Sequence, residues 1–321
     1  MKLQYNILCI DNIISSLVET KSDITEFNDN VGINVEFHDV EVSIGAREED
    51  DDFRLRIMEE IETHFAKTSF ELILVDLHMT GGVTGDDVIS VIRESHSMYR
   101  PIIFYSEGEP SGDDVAVQEL TAAALSAGLN GKSIFISGRD NLSALAFGIF
   151  KEMHNEEHKV NRVRGLLMDR VSEFDAKIIE ISKNEGLWKQ IPKENKNKIV
   201  TEFKRFLAKD KKDADQIYKR VNRMDIDEIQ TLVSSDSRDI STFRKGSLLR
   251  ALFRYIEKFK TNGDVLSDGI NGDDSMIGIR NTFAHTTSED LGFEQSPETC
   301  KHIREMLCHQ LKNIDDICEK I

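Results

Sequence analysis

At 321 residues, with 39% apolar side chains and no low-complexity tract, the chain has room for about two domains with proper cores. Its net charge of −17 argues against nonspecific nucleic-acid binding by the chain as a whole. No apolar run approaches the ~18 residues a membrane span needs, and Tyr5–Ile10 is too short for a signal-peptide core. The four cysteines form no Cys-x-x-Cys pair, which fits a reducing cytoplasm better than a disulfide framework.

The charge is unevenly placed. Residues 1–152 carry 28 acidic and 11 basic side chains, while the remainder carries 30 of each. Within 1–152, short apolar runs at Asn6–Ile10, Ile33–Val42, Phe70–Val75, Pro101–Tyr105 and Ser133–Ser137 predict strands. Amphipathic patterns between and after them predict helices near Ile13–Phe27, Phe53–Lys67, Asp86–Arg93, Asp114–Ala127 and Leu142–Glu152. This alternation specifies an α/β doubly wound parallel sheet of five strands, in which ligands gather at the carboxyl ends of the strands. The residues standing there are Asp11-Asn12 after the first strand, Asp76 after the third and Ser106 after the fourth. The acidic stretch Glu48–Asp52 reads as a solvated loop.

That set of end residues resembles the receiver domain of two-component response regulators. The resemblance implies a flavodoxin-like fold with Asp76 as phosphoacceptor, Asp11 and Asp76 as Mg²⁺ ligands and Ser106 as the switch hydroxyl. A carboxylate can take phosphoryl from phosphohistidine when a hard cation shields the oxygens, so the implied partner is a histidine kinase or another phosphodonor. The sequence departs from the family in three places. Asn12 stands for the second acid, Ser137-Gly138 stand where the family has a lysine, with Arg139 the nearest cation, and the loop Asp76–Gly85 is one residue longer.

After a linker or connecting helix at 153–165, residues 166–321 read as helices only. Leu166, Leu167, Val171, Phe174, Ile178 and Ile181 recur at spacings of three and four on one face. Further amphipathic runs lie near Lys196–Ala208, Ala214–Val221, Asp227–Val233, Ser247–Lys260 and Pro297–Ile317, predicting a bundle of five to seven helices. The glycines of Thr261–Asp274 predict a loop there, followed by a helix capped by Asp274 or Ser275. The basic run Lys193–Lys212 could meet phosphate, but reads better as a solvated helix face.

Arg280, Asn281 and His285 lie on that capped helix, in Arg280-Asn281-Thr282-Phe283-Ala284-His285. Arginine supplies a permanent forked cation for phosphate, histidine a proton carrier near neutral pH, and asparagine can orient either. The pattern resembles the HEPN superfamily, whose ribonucleases carry Arg, an adjacent polar residue, and His after a four-to-six-residue gap. The resemblance implies metal-independent RNA cleavage by the substrate's own 2′-hydroxyl, leaving a 2′,3′-cyclic phosphate and a 5′-hydroxyl. It further implies a homodimer that brings two motifs together, and the co-occurrence of a receiver-like domain on the same chain suggests that phosphorylation controls that association. A stress or phage-defence effector acting on RNA would fit this combination. Arg304 and His309 repeat the spacing, but an acid follows Arg304 and no loop precedes it.

Other signals carry less. Gly131-Lys132-Ser133 precedes a strand instead of following one, so it is no phosphate loop. His154 and His158 have zinc-helix pitch, yet Asn155 replaces the needed glutamate, and the segment reads as a solvated helix. His302, Cys308 and His309 lack a partner cluster, and the acids of 264–274 miss calcium-loop spacing. The main alternative to a nuclease is a non-catalytic signalling adaptor that dimerises or binds a protein or RNA. A DNA-binding regulator ranks last, because no compact basic recognition helix stands in the second half.

Overall fold

A computed structural model of the chain describes residues 2–43, 50–79, 84–95, 100–106, 118, 121–122, 125, 133–208, 221, 223–234, 240–286, 291 and 296–321. The chain divides into two compact units, Lys2–Glu157 and His158–Ile321. No helix among the described residues is long and apolar enough to cross a membrane.

The first unit is built on strands β1 (Gln4–Asp11), β2 (Asn34–Glu41), β3 (Leu72–Asp76), β4 (Ile102–Ser106) and β5 (Ile134–Gly138). All neighbouring pairs are parallel, in the order β2-β1-β3-β4-β5. The order follows from burial. Every residue of β3 and β4 is buried, as a strand covered on both faces requires, whereas the edge strand β2 is mostly part-exposed. One sheet face presents Leu8, Ile10, Ile73, Val75, Ile102 and Phe104 to helices α2 (Asp50–Lys67) and α3 (Gly85–Ser95). The opposite face presents Tyr5, Ile7, Cys9, Leu72, Leu74, Ile103 and Tyr105 to α1 (Val18–Asp29) and α4 (Leu142–Glu157). The chain therefore winds in both directions from β1, and the direction reverses between β1 and β3. In such sheets that reversal opens a crevice at the carboxyl edge. The helix expected over Asp114–Ala127 falls largely outside the described residues.

The second unit contains eight helices among its described residues. They are α5 (Val160–Lys183), α6 (Glu185–Lys189), α7 (Lys193–Ala208), α8 (Ile226–Ser234), α9 (Thr242–Phe253), α10 (Lys260–Ile270), α11 (Met276–His285) and α12 (Pro297–Lys320). The long α5 buries Val163, Leu167, Val171, Phe174 and Ile178 on one stripe. Helix α9 is buried from Arg244 to Phe253 except at Arg250, so it runs through the interior of the unit. The helix expected over Ala214–Val221 falls largely outside the described residues.

Two expectations are corrected here. Thr261–Asp274 is not a loop: α10 runs through most of it. Gly269 serves helix packing, because a Cβ there would come within 2.3 Å of Gln310 Cδ; only Gly272, at φ +95°, acts as a turn glycine. His154 and His158 do not sit on a solvated helix face either, since both are 5% exposed. His154 Nε2 donates to Asn28 Oδ1 at 2.9 Å and the ring stacks on Tyr5 and Phe27, in the core of the first unit. His158 belongs to the second unit, where its Nε2 faces Arg304 Nη1 at 3.4 Å. Helix α4 ends between them, which separates two rings that a continuous helix would stack.

Candidate functional site

The carboxyl edge of the sheet gathers three of the predicted residues. Strand alternation puts Asp11 on the same face as Ile7 and Cys9, Asp76 with Leu72 and Leu74, and Tyr105 with Ile103. Asp11 is fully buried and Asp76 is 3% exposed. Asp11 is well provided for: Oδ1 accepts the Ile13 backbone N–H at 2.7 Å, and Oδ2 accepts Tyr105 Oη at 2.5 Å and Arg139 Nη2 at 3.1 Å. Arg139 also donates from Nη1 to Ser16 Oγ and lies over the Tyr105 ring, 5.4 Å from its centroid. Ser106 is buried at the end of β4, in register with Gly138 of β5.

Asp76 is treated differently. Its Oδ1 is buried and has no hydrogen-bond partner among the described residues. Burial, with the Asp11 carboxylate nearby, pushes its pKa up to about 7; Arg139 and backbone hydrogen bonds from His78 and Leu77 pull the other way. Burial and the same Asp11 charge also raise the Tyr105 phenol, which keeps it a hydrogen-bond donor. Gly85 approaches the end of β3 closely. A Cβ at Gly85 would meet the Asp76 carbonyl oxygen at 2.3 Å and the Phe104 ring at 2.6 Å, so only glycine lets α3 begin there.

A divalent cation fits this donor set poorly. Asp11 already accepts three hydrogen bonds, one of them from a guanidinium, and Asn12 brings no charge. Among the described residues no group of three His, Cys, Asp or Glu side chains could hold a metal ion. Arg139 and Tyr105 were not singled out by sequence reasoning as site residues. Arg139 falls one or two positions past the expected lysine, and the 3-10 turn Arg139–Asn141 that starts at the end of β5 carries it back toward the crevice.

In the second unit, α11 carries the other predicted set. Ser275 caps the helix, with Oγ accepting the Gly278 N–H at 3.1 Å and donating to Gly272 O at 2.7 Å. The far end is braced from α5, where Arg164 Nη2 donates to Thr286 O at 2.9 Å. Arg280 falls on the side of α11 that buries Met276, Ile277 and Phe283, and its stem is half-buried with Nε enclosed. Its Nη1 donates to Asn281 Oδ1 at 3.0 Å, and it makes no ion pair among the described residues. Asn281 and His285 are exposed. No hydrogen bond joins His285 to Arg280 or Asn281 among the described residues; Arg280 and His285 stand about 140° apart on the helix, whereas Asn281 and His285, four apart, share a face.

The second Arg-to-His spacing has a different setting. Arg304 is fully buried and faces His158, while His309 is exposed. A polymer cannot reach that guanidinium. The structure thus separates two motifs of equal spacing into one accessible set and one core residue. No family model matches this sequence, and no curated protein matches it.

Proposed function

We propose that the chain is a receiver-like α/β unit joined to an HEPN-like helical unit, and that the helical unit is a metal-independent endoribonuclease working through Arg280, Asn281 and His285. The observation that carries this reading is the partnering of Arg280. Among the described residues its guanidinium is held by an amide and not by a carboxylate, which leaves its charge available to a phosphodiester. Arg280 stabilises the charge that builds on the phosphorane, and Asn281 fixes the guanidinium plane. His285, exposed at the last residue of α11, takes the 2′-hydroxyl proton or returns one to the leaving 5′-oxygen.

Arg280 and His285 diverge around one helix, so a single copy does not readily present both to one phosphate. We therefore assign the working unit as a homodimer, in which the partner's motif supplies the missing side. The receiver-like unit regulates that association through Asp76, with a cytoplasmic histidine kinase or small phosphodonor as its source of phosphoryl. The divergence of the two side chains is also what an RNA- or protein-binding adaptor without catalysis would tolerate. The test is cleavage of RNA by the full chain in excess chelator, beside the double variant Arg280→Ala, His285→Ala. Cleavage by the parent alone supports the nuclease. No cleavage by either leaves the adaptor.

A further inference from the structure

Two buried atoms of opposite kind in the same carboxyl-edge cluster have no partner among the described residues: the Asp76 Oδ1 acceptor and the Arg139 Nε donor. The rest of Arg139 is committed, with Nη2 on Asp11, Nη1 on Ser16 and its plane over Tyr105. These contacts fix the guanidinium in the cluster, close enough for its charge to act on Asp76, while Nε–H keeps no partner among the described residues. A guanidinium is a strong partner for phosphoryl oxygens because its donors are planar and its charge is permanent.

We infer that Arg139 takes the place of the divalent cation at this site, so that Asp76 accepts phosphoryl from an acyl phosphate without a metal. This rests on the receiver-like reading of the first unit and goes further, naming the residue that holds the transferred group. In the step, a carboxylate oxygen of ionised Asp76 attacks phosphorus. The new O–P bond forms as the bond from phosphorus to the acyl oxygen breaks, and the donor leaves as its carboxylate, with no net proton transfer. The Nε–H of Arg139 meets a phosphoryl oxygen and its permanent charge offsets that of the transferred group, while Asp11 and Tyr105 hold the guanidinium in place.

The probe is acetyl phosphate, with the full chain, and the readout is the intact-mass gain of one phosphoryl group, mapped by its loss in Asp76→Asn. Labelling is compared in Mg²⁺ and in excess EDTA, for the parent, Arg139→Ala and Arg139→Lys. The inference expects equal labelling of the parent in both conditions, with Arg139→Ala slowed roughly a hundredfold and Arg139→Lys in between. Labelling that requires Mg²⁺ overturns the inference and leaves the receiver-like reading standing. Labelling of folded Arg139→Ala at the parental rate overturns it too. No labelling in any condition overturns both. The EDTA comparison uses the parent alone, so it decides even where Arg139→Ala does not fold.

Discussion

Replacing Asp76 by asparagine keeps the side chain's shape but removes its charge, and the structure sets the size of the effect. Burial and Asp11 raise this carboxyl from its ordinary 3.8 to about 7. An acid with a raised folded-state pKa holds its proton more tightly when folded. Its contribution is therefore full below the unfolded pKa and is lost as the pH rises from about 4 through 7. A shift of about three units corresponds to about 4 kcal/mol, of which about 3 kcal/mol is lost between pH 5 and pH 8. The amide that replaces the carboxyl cannot titrate, so Asp76→Asn is expected to be more stable than the parent by about 1–2 kcal/mol at pH 5 and about 4 kcal/mol at pH 8. Paired urea unfolding curves of the two full-length proteins at pH 5, 6, 7 and 8 read this, since groups remote from Asp76 cancel in the difference. A stability gap that stays constant with pH would refute the placement of Asp76 as a buried, incompletely compensated acid.

The two arginines of equal spacing make opposite predictions. Arg304→Ala, which strips a fully buried cation from His158, should cost about 3–5 kcal/mol in an unfolding assay, whereas Arg280→Ala should cost less than about 1 kcal/mol and remove cleavage. Gly85→Ala forces a Cβ against the Asp76 carbonyl and the Phe104 ring, so it should destabilise by about 1–3 kcal/mol and slow labelling of Asp76 by acetyl phosphate. Ser275→Ala removes the cap of the motif helix and should cost about 1 kcal/mol, with RNA cleavage falling more than stability accounts for at temperatures where the protein remains folded.

All five strands were legible because a parallel sheet buries its central strands as unbroken apolar runs, and the predicted ends lie within two residues of the observed ones. So were Asp11 and Asp76, since the topology alone sends the ends of β1 and β3 to one crevice. The cation of the site was harder to see. Arg139 works through its reach and through a 3-10 turn, neither of which a position-by-position comparison with a lysine at a strand end would register. Thr261–Asp274 was misjudged for a related reason. Glycine marks a loop in sequence, but at Gly269 it marks the place where α12 comes too close for a side chain. His154 and His158 carry polar rings whose burial depends on Asn28 and Arg304, residues far away in sequence. By contrast, the cap could be narrowed in sequence to Asp274 or Ser275, because capping is decided by a few adjacent residues, and the structure puts it at Ser275.

The most direct test of the central claim is the chemistry of the RNA ends produced by the full-length chain in excess EDTA. The expected products carry 2′,3′-cyclic phosphates and 5′-hydroxyls, lost together when Arg280 and His285 are replaced by alanine. Products bearing 3′-hydroxyls and 5′-phosphates, or cleavage that persists in the double variant, would contradict it.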